Sequence, residues 1–153
     1  MANQEHVYVL KQGVIYWNQW RKERPEIQPD LSKVNLSGAD LSGVDFSRAN
    51  LYWADLSGCI LRMANLKEAD LSVARLGAAD LRLVNLSAAN LNAADLRATD
   101  LRRANLRGAN LKVADLSRAD LREAILDGAV TDGTIFTGAK RHGGLWDLFT
   151  NNR

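Results

Sequence analysis

"ANLRGANLKVADLSRADL", residues 104–121, repeats a five-letter phrase: a small residue, then Asp or Asn, then Leu, then two variable positions. A period of five suits neither regular element. On an α-helix five residues rotate about 140° past a whole turn, so successive leucines scatter around the circumference. On a flat strand the odd step sends them to alternate faces. Ala, Leu and Arg favour a helix by propensity, and the periodicity overrides them. A chain that runs extended for a few residues and turns a corner once per unit keeps every Leu aimed at one axis. The spacing therefore predicts a solenoid. Strand alternation then puts Leu and the residue two before it inside, with Asp or Asn and the first variable residue outside.

The phrase runs far beyond these residues. Leu recurs at every fifth position from Leu31 to Leu126, replaced once by Phe46, which makes a single tandem array with no slip of register. Two residues before each centre stands Ala at 14 of 20 places, and otherwise Pro29, Val34, Val44, Cys59, Val84 or Thr99. One residue before, Asp or Asn fills all but Ile60, Arg75 and Ile125. Cys59 takes a small inward slot, where a thiol serves packing. As the single cysteine it forms no internal disulfide, which suits a reducing compartment.

At 153 residues the chain is sized for one domain. Twenty Lys and Arg against 18 Asp and Glu give a net charge of +2, too small to select nucleic acid or any charged partner. No apolar run approaches the roughly 20 residues that span a bilayer, so no membrane segment is expected. The N-terminus lacks a basic region and a cleavage site of the secretory kind, and a cytoplasmic protein is expected.

The units "ADLSGVDFSRANL", "ANLKEADL" and "ADLSRADL" resemble the pentapeptide-repeat family, over about Asp30 to Lys140. The resemblance implies an all-β solenoid, a right-handed quadrilateral β-helix with four units, about 20 residues, per coil. About 22 units, counting degenerate ones at Thr131 and Phe136, then make about 5–6 coils and a rod roughly 26 Å long at ~4.8 Å per coil. The expected organisation is a capping helix and linker over 1–29, the β-helix over 30–140 and a cap or tail over 141–153.

A stacked coil exposes unpaired backbone at both ends, so caps are expected. In "VYVLKQGVIYWNQWRKERPEI", Val7, Leu10, Val14 and Trp17 share a helical face with Trp20 beside it, and Pro25 limits continuation. One helix is predicted from about Val7 to Glu23. The phrase "LKQGVIYWNQWRKERPEIQPDLS" also resembles leaders that precede many pentapeptide-repeat arrays. That implies Trp17 and Trp20 seated on the open first coil; a docking helix for another protein is the alternative. At the other end Gly143-Gly144 punctuates before Leu145, Trp146, Leu148 and Phe149. This cluster either closes the last coil or forms a homodimer, as C-terminal segments of related proteins do.

No catalytic constellation, cofactor motif or metal motif is present in the sequence, and no enzyme is expected. His6 and His142 lie outside the array and read as surface residues. Stacking positions 20 apart aligns Arg62, Arg82, Arg102 and Arg122 in an outward column, with Asp80, Asp100 and Asp120 placed to neutralise three of them. The column is either a self-compensated surface or an anion or partner site. Trp53, Val73, Ala93 and Val113 form a second column, with Met63 and Leu83 on the next side and Tyr52 and Ile60 close by. Grouped exposed apolar residues of this kind suggest a protein interface, the alternative being that the N-terminal segment folds over Tyr52 and Trp53.

The expected function is a non-catalytic scaffold for an unknown protein partner, with nucleic acid disfavoured by the Asp-paired arginines. The resemblance also implies an alternative: quinolone-resistance members of the family are acidic, dimeric rods that imitate DNA and bind gyrase. Residues 30–140 carry 14 acidic and 14 basic side chains, so their net charge is zero. That and the arginine column disfavour DNA mimicry, which needs a strongly negative surface.

Overall fold

In the computed structural model, which describes residues 1–141, each unit closes a turn from the Leu carbonyl to the small residue three positions on. The third turn position has a positive φ in every unit, between +49° and +72°, the sign pattern of a type II turn. Asp70 to Ala74 shows how one unit satisfies all five of its backbone donors. The Asp70 N–H donates down to Ala49 O at 3.0 Å, while Leu71 and Val73 donate up to Asn90 O and Asn92 O at 2.7 and 2.9 Å. The Ala74 N–H closes the turn on Leu71 O at 3.0 Å. The fifth donor, Ser72 N–H, goes to the Asp70 carboxylate at 3.0 Å.

This last bond explains the Asp or Asn of the repeat. Its short side chain accepts the N–H two residues on and pre-forms the corner, as Asn85 also does for Ser87 at 3.0 Å. The outward residue of each unit is therefore part of the backbone's hydrogen bonding. Ile60, Arg75 and Ile125 cannot supply that oxygen.

Parallel bridges join each unit to the one 20 residues later, from Asp30–Asn50 to Asp120–Lys140, giving about five and a half coils. Each side of the coil pairs through a single residue, because a corner follows at once. Inside, Leu31 and every array centre from Phe46 to Leu116 is fully buried. Each contributes on the order of 1.5–3 kcal/mol before entropy, along a stack in which a coil touches its neighbours. Cys59 is buried among them with its Sγ 2.8 Å from Leu36 O, and burial pushes its thiol above the ordinary range, so it is inert.

The N-terminal segment forms two helices where the periodicity predicts one: α1, Gln4–Lys11, and α2, Val14–Glu23. Gly13 breaks them. Its φ of +110° is a conformation that glycine adopts freely, and its carbonyl starts α2 by accepting the Trp17 N–H at 2.9 Å. The helix also starts earlier than Val7, because Asn3 caps it by accepting from Glu5 and His6 N–H.

Both helices pack against the first coil. Trp17 is fully buried, meets Phe46 edge-on at 5.6 Å and Trp20 at 5.1 Å, and donates its indole N–H to Asp45 O at 2.7 Å. Phe46, which replaces Leu in the run from Leu31 to Leu126, thus lies where the core continues into the cap. Leu145, Trp146, Leu148, Phe149 and His142 lie outside the described residues.

Candidate interaction surfaces

One unit makes one corner and four corners close a coil, so residues ten apart lie at opposite corners. This corrects the grouping of the apolar residues. Trp53 and Val73 stand on one corner; Met63 and Leu83 stand on the corner diagonally across from it, with Ile60 on the side leading to them. Tyr52 belongs with Trp53, the two rings edge-on at 6.2 Å.

The Trp53 corner is an apolar ridge: Trp53, Val73, Ala93 and Val113 in register, with Val113 58% exposed. The Lys33 ammonium lies over the Trp53 ring at 5.4 Å. Helix α1 approaches this corner at Ser32, Lys33 and Val34, beneath the ridge, and leaves Tyr52 and Trp53 exposed. The backbone here is unusual. Val73 and Val113 hold φ of +58° and +49°, a left-handed conformation that β-branched residues rarely adopt.

The Met63 corner combines apolar and charged residues. Met63 is 69% exposed, and Leu83, Arg103 and Glu123 continue its column, the last two paired at 3.4 Å. Beside it run the arginines. Arg82, Arg102 and Arg122 pair within their own units with Asp80, Asp100 and Asp120 at 2.5–2.7 Å. Each Asp also meets the arginine of the coil before: Arg62 reaches Asp80 at 3.9 Å, Arg82 reaches Asp100 at 3.5 Å and Arg102 reaches Asp120 at 3.8 Å. Arg62, which has no Asp of its own, borrows one from the next coil.

The result is a zigzag of alternating charge. The hydrogen-bonded Arg82 guanidinium holds the Asp80 carboxyl below the ordinary carboxylate range, against partial burial that pushes it up. Asp100 and Asp120 are lowered in the same way by Arg102 and Arg122. A second ladder on a neighbouring side, missed by stacking Arg62 alone, joins Arg75 to Asp55 at 3.6 Å and Arg97 to Asp95 at 2.7 Å.

The N-terminal cap holds polar residues that the sequence alone did not single out. A further coil beneath the first would offer backbone partners to its edge; here side chains offer them. Asn18 accepts the Asp45 N–H at 2.8 Å and donates to Gly43 O at 2.9 Å, and Arg21 donates to Ser47 O at 2.7 Å and Ile27 O at 2.9 Å. Burial lowers the Arg21 pKa, in part offset by Asp45. His6, read from its position as a surface residue, is 8% exposed: its Nδ1 accepts the Asp30 N–H at 2.9 Å and its ring meets Trp20 at 5.2 Å. The correction has a plain cause, since Asn3 starts α1 before His6 and turns the imidazole onto the coil.

Among the described residues no three of His, Cys, Asp and Glu come together as a metal site, and no helix is long and apolar enough to cross a membrane. One open depression lies along Gly77, Ala78, Asp95 and Arg97.

Comparison with known proteins accords with this architecture. The sequence matches pentapeptide repeats, in eight copies, over residues 30–62, 49–87, 79–112 and 114–144. No curated protein matches the chain. Its structure is similar to that of Rfr23, a pentapeptide repeat protein of the cyanobacterium Cyanothece 51142, with 25% identity over 82% of this chain and 97% of the other, TM-score 0.73. HetL, a pentapeptide repeat protein involved in heterocyst differentiation regulation in Nostoc sp. strain PCC 7120, is 34% identical over 74% of this chain and 58% of its own, TM-score 0.50. QnrB1, a plasmid-mediated fluoroquinolone resistance protein, is more distant, 20% identical over 76% of this chain and 80% of its own, TM-score 0.43, a likeness that carries no functional argument. The solenoid is the right-handed quadrilateral β-helix, and the chain belongs to the pentapeptide repeat family.

Proposed function

We propose that the chain is a non-catalytic scaffold that binds another protein along the Trp53 corner. The observation that carries this reading is backbone strain in an exposed place. A left-handed conformation costs an ordinary L-residue roughly 1–2 kcal/mol, and equivalent corner positions in this chain use glycine at Gly38, Gly58 and Gly108. Val73 and Val113 keep that cost while facing solvent beside Trp53. Strain retained where packing does not require it points to a surface kept for contact. Trp53 supplies the kind of large, rigid anchor that dominates protein interfaces. Met63, Leu83 and Ile60 make a second, smaller surface, with no β-branched residue at its turn positions.

The test is affinity capture from native lysate with three baits: wild type, Trp53→Asn/Val73→Asn/Val113→Asn, and Met63→Ser/Leu83→Ser. A specific protein retained by wild type and lost with the first variant supports the reading. Equal retention by that variant, or no specific protein on wild type, ends it. Loss with the second variant alone moves the site to the Met63 corner.

A further inference from the structure

The seat of His6 has a chemical requirement that the rest of the cap does not share. Its Nδ1 accepts the Asp30 N–H at 2.9 Å, and acceptance needs the neutral imidazole. A protonated ring would direct a second N–H at the same donor. Three independent attachments hold α2 to the Asp45 side of the coil, next to the Asp30 side, through Trp17, Asn18 and Arg21, and none of them involves a titrating imidazole. Helix α1 is held by the His6 bond, the Asn3 N–H to Asp30 O at 3.0 Å, the His6 ring on Trp20 and the apolar contacts of Val7, Val9 and Leu10. Gly13 separates the two helices and supplies a hinge.

We propose that α1 is a pH-operated latch: protonation of His6 releases this helix from the Asp30 edge while α2 stays in place. The charged groups at the seat are the Asp30 carboxylate and the chain's amino group; α2 contributes the neutral Trp20 ring. Asp30 attracts an imidazolium, yet its Oδ1 already accepts from Ser32 N–H at 3.0 Å and Asn50 Nδ2 at 3.3 Å. A protonated His6 gains that attraction by turning out of the position in which it pairs with the Asp30 N–H. The charged ring and the closed seat therefore exclude each other. Release bares the Asp30 N–H and C=O, the unpaired start of the first coil's edge.

The test is amide exchange by NMR on the full chain between pH 7.5 and 5.5, with protection factors corrected for the intrinsic pH dependence of exchange and the His6 ring signals followed in the same samples. The expected result is a fall in Asp30 protection as His6 titrates, by up to tenfold per pH unit, the limit for one proton. Asp45 amide and Trp17 indole protection stay constant, because α2 does not move. His6→Asn, whose Oδ1 can accept from Asp30 without titrating, removes the pH dependence. Titration of His6 with Asp30 protection unchanged overturns the latch, as does a His6 that stays neutral throughout. Equal loss at Asp30 and Asp45 also overturns it, since that is unfolding of the whole cap.

Discussion

At the scale of the residue, the five-letter unit is a hydrogen-bonding scheme as much as a packing one. Leu and Ala fill the interior, which the period announces. Asp or Asn completes the corner, which becomes visible once backbone donors have coordinates. Ile60 is a place where that completion is missing. Ile60→Asn is therefore expected to stabilise the fold by about 0.5–1.5 kcal/mol, by accepting the Arg62 N–H and reaching Asp40 as Asn50 reaches Asp30. Chemical denaturation decides it, and a loss of stability contradicts the scheme. Val73 and Val113 give the opposite case. Since Asn tolerates a positive φ, Val73→Asn and Val113→Asn should leave stability unchanged or raise it by about 1 kcal/mol each. A drop beyond about 1 kcal/mol in either variant shows that these valines are held for packing and weakens the proposed site. Gly133 marks the limit at this corner: a Cβ there comes within 3.0 Å of Val113 Cγ1.

At the scale of the element, the cap shows why helix prediction succeeded in kind and failed in boundary. Apolar spacing at Val7, Leu10, Val14 and Trp17 identifies a helical segment facing a core, but it passes through Gln12 and Gly13 without a mark. What breaks the helix is Gly13 at its φ of +110°, and the two short helices on either side of it both pack on the first coil. Trp17 joins cap and rod. Trp17→Ala is expected to cost about 3–5 kcal/mol through the cavity left beside Phe46. Trp17→Phe keeps most of the volume and loses the donor to Asp45 O, for about 1–3 kcal/mol. A Trp17→Phe variant as stable as wild type in thermal or urea denaturation would show that the indole hydrogen bond contributes nothing.

At the scale of the whole molecule, the charges balance locally as well as in sum. The Arg62–Arg122 column is threaded by Asp80, Asp100 and Asp120, so no face of that corner is a bare array of positive charge. These carboxyls titrate lower in the folded chain than their ordinary value, so between the two values the unfolded chain binds more protons and stability rises with pH. The contribution is complete above the ordinary carboxylate range, roughly pH 4–5, and is lost as pH falls through the depressed values. Solvent exposure keeps each pair small. Asp80→Asn/Asp100→Asn/Asp120→Asn should lower stability modestly above about pH 5 and flatten the acid limb, the variant and wild-type curves converging as pH falls through the depressed values; an unaltered acid limb refutes the zigzag. A rod with zero net charge over residues 30–140 also lacks the field of a DNA imitation. No inhibition is expected in a gyrase supercoiling assay, and inhibition at stoichiometric levels would restore the DNA-mimic alternative.

The amino-acid order by itself determined the solenoid, because a strict period of five has one geometry that buries every leucine. Which residues share a column came from the family resemblance, which implies four units per coil and so counting by 20, and the parallel bridges pair residues at that interval. Only the tertiary structure decided which columns are neighbours: four corners set Trp53 and Met63 half a coil apart, although ten residues along the chain appear close. Only the tertiary structure, too, turned His6 inward and gave Asn18 and Arg21 the edge of the first coil. Those roles depend on where two short helices land, and contacts between distant segments leave no period in the sequence to read.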